Sequence, residues 1–202
     1  MAETSSTIRI LDRKTVWKRF IHLQTLVLEQ RRADGRIERL DREVHDHGHA
    51  AAVLLVDPAR RSVVLVRQFR PGAFLGGHPD GYLLEVPAGL LDGDSPEAAV
   101  SREAMEETGY AVSGVRFLFD TYVSPGTLTE RVSCFVATVD AGRPDGAGGG
   151  VEGEGEDIEI VEMPVDEACA LIASGGIVDA KTILLLQWLM LERAGLMPAG
   201  PA

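Results

Sequence analysis

Three glutamates crowd the stretch REAMEETGY, Arg102 to Tyr110. In a helix Glu103 and Glu107 stand at i,i+4 with Glu106 one step round, and like charges so placed cost roughly 0.2–0.5 kcal/mol per pair. Something must neutralise them. Oxygen-rich clusters of this kind suit Mg²⁺ or Mn²⁺, hard cations that keep bound water and take substrate phosphates as remaining ligands. A solvated acidic helix face accounts for the same residue types, so glutamate content alone does not separate the two. Arg102, beside the cluster, is placed to tether a neighbouring acid.

The surrounding chain narrows the setting. Its 202 residues suit one domain or one domain with a small appendage, and its apolar content is ordinary for a folded protein. A net charge of -11 argues against a nucleic-acid partner, because phosphate backbones need a basic footprint. A phosphate ligand would therefore need local charge inversion, which a divalent metal supplies. No apolar run reaches membrane-spanning length, since ILLLQWLML from Ile183 is short and carries Gln187. The start, MAETSSTIRI, lacks a basic region followed by an apolar core, which predicts a cytoplasmic protein. Cys134 and Cys169 lie far apart without metal-like spacing and read as two buried, reduced thiols.

These residues need elements to carry them. FIHLQTLVLEQ, from Phe20 to Gln30, alternates, turns at Asp34-Gly35 and returns through RIERLDREVHD, which predicts an antiparallel hairpin. HAAAVLLVD and SVVLVRQFR read as a buried strand pair, and YLLEVPAG as a strand closed by Pro87. Ser95 as N-cap, Pro96 at the first helical position and Gly109 at the far end bracket the glutamate helix. VRFLFDTYVS, ERVSCFVATVD and IEIVEMP are further strands, followed by helices in DEACALIAS and KTILLLQWLMLERAG. Between them, Ala141 to Asp157 is Gly-rich and acidic and reads as a mobile loop. The fold class is α+β, a mixed sheet with helices packed on it. His45, His47 and His49 alternate on a strand without Cys partners and read as structural rather than as a zinc site.

Spacing adds what composition lacks. The run from Ala88 to Tyr110, AGLLDGDSPEAAVSREAMEETGY, resembles the Nudix box. Its second half matches as Arg102, Glu103, Ala104, Met105, Glu106, Glu107, Thr108, Gly109, Tyr110. Its first half departs, being one residue short from Gly89, with Asp94 or Ser95 where that family has glutamate. GHAAAVLL, VVLVRQFR, YVSPGTLTER, GGGVEGEGEDIEI and KTILLLQWL extend the resemblance to the nucleoside-diphosphate-sugar pyrophosphatases. Some of these motifs resemble ADP-ribose pyrophosphatase, and others the GDP-mannose hydrolase branch.

That resemblance implies an α/β/α Nudix fold over residues 48–202, with residues 1–47 as an N-terminal hairpin and dimerisation region. It implies Glu103 and Glu107 as metal ligands, with Glu106, Glu156 and the Ala88 carbonyl at the same site. The implied cofactor is Mg²⁺ or Mn²⁺, and the substrate a nucleoside diphosphate sugar cleaved to nucleoside monophosphate and sugar phosphate. The proton acceptor falls on the acidic loop, Glu154 first and Glu152 second, with Glu130 as a further group orienting water or ribose. Arg70 and Arg42 match substrate-contacting positions, with Arg67 behind them, and Phe20 or Trp17 is available to stack on a base. A homodimer is implied. The competing class is a Nudix-like module that binds a nucleotide without hydrolysing it; such a module could dispense with the carboxylates of REAMEE, which all stand here.

Overall fold

The structure is a computed structural model and describes residues 7–151, 153 and 155–196. The chain divides into two compact units, Met1–His49 with Tyr122–Arg131, and Ala50–Thr121 with Val132–Ala202.

The first unit is a three-stranded antiparallel sheet, β1 (Ile8–Lys18), β2 (His22–Arg31) and β3 (Ile37–Asp46), in the order β1-β2-β3. The expected hairpin is β2 and β3, joined through Gly35 in a left-handed conformation. The sheet has one strand more than the sequence reading gave. IRILDRKTVWK shows no sustained alternation, and almost every residue of β1 is exposed; its extended form comes from pairing with β2. The segment from Tyr122 to Arg131 closes this unit, exchanging His45 N–H to Thr127 O and Thr129 N–H to His45 O at 2.8 and 3.0 Å.

The second unit is a seven-stranded mixed sheet with helices on both faces. Its continuous path runs β10 (Glu159–Pro164), β5 (Ser62–Phe69), β4 (Ala50–Asp57), β9 (Val132–Thr138), β8 (Ser113–Thr121). Among the described strands of this unit only β4 and β9 pair in parallel. Alternation along β4 explains the layers. Ala50, Ala52 and Leu54 join the core that contains α3 (Val165–Ser174) and α4 (Ala180–Arg193). Ala51, Val53 and Leu55 join the core under α2 (Pro96–Glu103). Strands buried on both faces read as apolar runs, which is why HAAAVLLVD was legible.

One irregularity builds the centre. β4 and β5 pair only over Leu55–Asp57 and Ser62–Val64, then part. The chain from Tyr82 to Leu90 enters the gap. β6 (Tyr82–Glu85) pairs with β5, β7 (Ala88–Leu90) pairs with β4, and the Pro87 carbonyl between them accepts Val53 N–H at 3.0 Å. Glu85, Ala88 and Gly89 thereby reach the middle of the sheet. A short helix, α1 (Pro71–Leu75), was not predicted; it has no buried residue and so no amphipathic signal.

Candidate active site

Helix α2 begins as expected, with Ser95 Oγ accepting Ala98 N–H at 3.3 Å and Pro96 following. From Ala104 to Thr108 it widens into a π-helical turn and stops at Gly109, whose φ of 73° is left-handed. Such turns insert extra residues into a helix and recur at functional sites. Here the turn carries Glu106 and Glu107, with Glu103 immediately before it.

Glu107 is 2% exposed, and its Oε2 has no hydrogen-bond partner among the described residues. Burial pushes its carboxyl up to about 8, Glu103 and Glu156 add repulsion, and Arg70 and the Ala88 N–H oppose the rise. Glu103 is also raised, first by burial, against the pull of Arg102. Its carboxylate lies over Gly89 with no room for a Cβ there, so residue 89 has to be glycine for Glu103 to occupy this place.

Arg102 is the tether the sequence suggested. It donates from Nη1 to Glu103 Oε1 at 2.8 Å and Glu106 Oε2 at 3.0 Å, from Nη2 to Leu90 O, and from Nε to Asp94 Oδ2 at 3.3 Å. Asp94, standing in the shortened part of the box, thus has a partner in Arg102.

A second charged group lies against this cluster. Arg70 forks onto Glu85 through Nε and Nη2 at 2.9 and 2.8 Å, and Lys181 Nζ reaches Glu85 Oε2 at 2.6 Å. Asp179, the N-cap of α4, pairs with Lys181 at 3.0 Å and accepts from Thr182. Although burial favours the neutral acid, Arg70 and Lys181 outweigh it and hold Glu85 below the usual carboxylate range. Glu85 takes only two of Arg70's three guanidinium nitrogens. The sequence reading missed Glu85, Asp179 and Lys181. A signal existed in YLLEVPAG, because an acid in an apolar strand is costly to bury unless it is paired.

The remaining candidates are placed as follows. Glu156 Oε2 accepts Val151 N–H at 3.2 Å and acts electrostatically on both Glu103 and Glu107. Arg67 is committed elsewhere, to Asp80 at 2.9 Å, to Glu159, and over the Tyr82 ring. Arg42, Phe20, Trp17 and Glu130 belong to the first unit. Arg42 Nη1 donates to the Asp41 carbonyl, and Phe20 is 77% exposed and stacked on His47. Glu130 Oε1 meets His47 Nε2 at 3.1 Å, and His47 Nδ1 meets His45 Nε2 at 3.2 Å, so two of the three histidines are wired to that acid. Glu152 and Glu154 lie outside the described residues.

Within the glycine-rich stretch, Gly149 N–H donates to Glu107 O at 2.9 Å and Gly150 N–H to Glu106 O at 3.0 Å, so these two residues pack on the helix end. One expectation needs correction. Of the two thiols Cys134 is buried, whereas Cys169 is only partly covered.

Among the described residues no three His, Cys, Asp or Glu side chains close around one point at metal-ligand spacing. Arg102 draws Glu103 and Glu106 to itself instead. The donors nonetheless fit a hard divalent cation. They are all oxygen, one buried carboxylate oxygen is without a partner among the described residues, and Glu103 and Glu156 both repel Glu107, which Arg70 offsets only in part.

The NUDIX domain family model matches residues 46–186, and the chain belongs to the Nudix family. Among curated proteins it is 44% identical to a GDP-mannose pyrophosphatase of Cronobacter sakazakii over 188 residues, 93% of this chain and 97% of that one. It is 46% identical to the GDP-mannose pyrophosphatase of Pectobacterium atrosepticum over 183 residues, 91% and 94% of the two chains. Among solved structures, one described as an ADP compounds hydrolase superposes with a TM-score of 0.70 at 22% identity, covering 97% of this chain and all of that one; it is a likeness of fold.

Proposed function

We propose that this protein is a Mg²⁺-dependent hydrolase that splits the diphosphate of a nucleoside diphosphate sugar into nucleoside monophosphate and sugar phosphate. GDP-mannose is the first candidate substrate and ADP-ribose the second. The observation that carries the reading is Glu107, a buried carboxylate with an unpartnered oxygen, set among Glu103 and Glu156 and within the field of Arg70. Relatives of nearly the same length, 42–46% identical, are named GDP-mannose pyrophosphatases, which supports the choice of substrate.

In this reading Glu103, Glu107 and the Ala88 carbonyl hold the metal, with Glu106 and Glu156 alongside. A cation held there would neutralise phosphate charge and lower the pKa of an attacking water. Glu85 fixes the guanidinium plane of Arg70 and leaves its remaining nitrogen to orient a phosphate oxygen. Glu154 accepts the proton from water, with Glu152 and then Glu130 as the alternatives. Arg42 and Phe20 contact the nucleotide. Arg67, committed to two carboxylates and a ring, is the weakest of the substrate candidates.

Residues 1–47 form the dimerisation region of a homodimer, and residues 48–202 the hydrolase domain. Exposed apolar side chains on the first unit, among them Val16, Trp17 and Ile37, support an interface there. Among the described residues no helix is long and apolar enough to cross a membrane. We place the protein in the cytoplasm.

The test is a substrate panel of GDP-mannose, ADP-ribose, UDP-glucose and diadenosine polyphosphates with Mg²⁺, read by phosphatase-coupled phosphate release. GDP-mannose should give the highest kcat/KM. Release confined to the diadenosine polyphosphates would overturn the sugar-nucleotide assignment.

A further inference from the structure

The end of a helix leaves its last carbonyls without intrahelical donors, and a glycine in the left-handed conformation satisfies only some of them. At the end of the glutamate helix Gly109 N–H returns to Met105 O at 2.9 Å. The carbonyls of Glu106 and Glu107 need other partners. They find them some forty residues on, in Gly150 and Gly149, while the Gly109 carbonyl accepts both Asp145 and Gly146 N–H at 2.8 Å.

Three consecutive residues with positive φ, 62°, 94° and 92° at Gly148, Gly149 and Gly150, turn successive N–H groups toward the helix end. Gly148 makes the close approach possible. A Cβ there would lie 2.6 Å from the Thr108 carbonyl carbon and 2.8 Å from Gly109 N, both backbone atoms that cannot swing aside. The far side of the same segment is closed as well, by Ile158 N–H on Gly149 O at 3.4 Å and Val151 N–H on Glu156 Oε2 at 3.2 Å.

We infer that Gly148–Gly150 is a positioning element, a backbone clamp that holds the π-helical turn bearing Glu106 and Glu107 in register with the acidic segment bearing Glu156. The clamp touches no reacting atom. It acts through the residues whose carbonyls it holds, so the two carboxylate sources of the site cannot drift apart independently. This inference rests on the reading of Glu103, Glu107 and Glu156 as the metal site.

The test compares Gly148→Ala with Gly175→Ala. Gly175 has a φ of 78° with nothing near its Cβ position and caps α3, so it carries similar left-handed strain without the clamp. Isothermal titration of the free proteins with Mn²⁺ and steady-state kinetics are read together. Gly148→Ala should weaken Mn²⁺ binding at least ten-fold and lower kcat at least thirty-fold, with KM within about three-fold. Gly175→Ala should leave all three within two-fold. Amide hydrogen exchange on the wild type covers the case in which Gly148→Ala does not fold: Mn²⁺ should slow exchange at Gly149 and Gly150 by ten-fold or more. A folded Gly148→Ala matching wild type in affinity and kcat, or wild-type amides indifferent to Mn²⁺ that the protein does bind, overturns the clamp alone. Failure of the wild type to take up Mn²⁺ overturns the metal reading and the clamp with it.

Discussion

The Glu103 carboxylate rests on the backbone of Gly89, in a space that any side chain at residue 89 would fill. Helix α2 and strand β7 are thereby fitted to each other at the position where the site requires an acid. Gly89→Ala should expel Glu103 while leaving both elements intact, because no positive φ is involved at this residue. We expect kcat to fall by a factor of about 10–10², in line with losses seen when supporting contacts of a metal site are removed. Circular dichroism should be unchanged, and activity within three-fold of wild type would contradict the assignment.

Glu107 links stability to pH. Burial, then repulsion from Glu103 and Glu156, raises its carboxyl to about 8, whereas an unfolded glutamate titrates near about 4.3. The metal-free folded protein therefore holds a proton in this window that the unfolded chain releases. The resulting stability is complete below about pH 4 and is lost as pH rises through 8. Between pH 6 and 8.5 the loss from this group is about 2–3 kcal/mol. Urea titrations in EDTA should show that decline in the wild type and a flatter profile in Glu107→Gln. The same substitution should lower turnover with Mg²⁺ by orders of magnitude.

Glu85 joins the partly exposed Arg70 to the largely buried Lys181, and removing one partner of a buried ion pair such as Glu85–Lys181 costs roughly 3–5 kcal/mol. Glu85→Gln should reduce Tm by roughly 6–20 °C, given about 2–4 °C per kcal/mol at this chain length. It should also raise KM, since Arg70 loses its orienting fork. Scanning calorimetry and kinetics on one preparation separate the effects; an unchanged Tm would show that the network carries no net stability.

Much of this was legible in the residues, for reasons that differ by element. The glutamate helix announced itself through Ser95, Pro96 and Gly109, each a local backbone requirement, and all three stand at its ends. The doubly buried β4 and β5 were legible as unbroken apolar runs. Strand β1 was not, because its extension is imposed by a neighbour and its side chains face solvent. The packing of Gly149 and Gly150 was hidden for a related cause. Glycine marks both a loose loop and a backbone packed too closely for side chains, and only the Glu106 and Glu107 carbonyls distinguish them. Glu85, Lys181 and Asp179 escaped because their roles are set by one another across a wide sequence separation.

The proton acceptor is assigned by a paired substitution. Glu154→Gln should depress kcat far more than it changes KM, since losing a base spares ground-state contacts. Glu152→Gln measured beside it settles the register, the greater loss marking the base. If both retain wild-type turnover, the role passes to Glu130 or Glu106.

Assembly is checked by light scattering across a dilution series. The proposed dimer should keep twice the chain mass into the low-micromolar range, and Trp17→Glu together with Ile37→Glu should dissociate it. A stable, active wild-type monomer would contradict the proposed role of residues 1–47.

Metal-dependent cleavage of a sugar nucleotide within its diphosphate is best tested by product identity. GDP-mannose incubated with the protein and Mg²⁺ should yield GMP and mannose 1-phosphate in equal amounts by ³¹P NMR. Excess EDTA should abolish the reaction, and added Mg²⁺ should restore it. Release of GDP and free mannose, or turnover indifferent to EDTA, would contradict metal-dependent cleavage within the diphosphate.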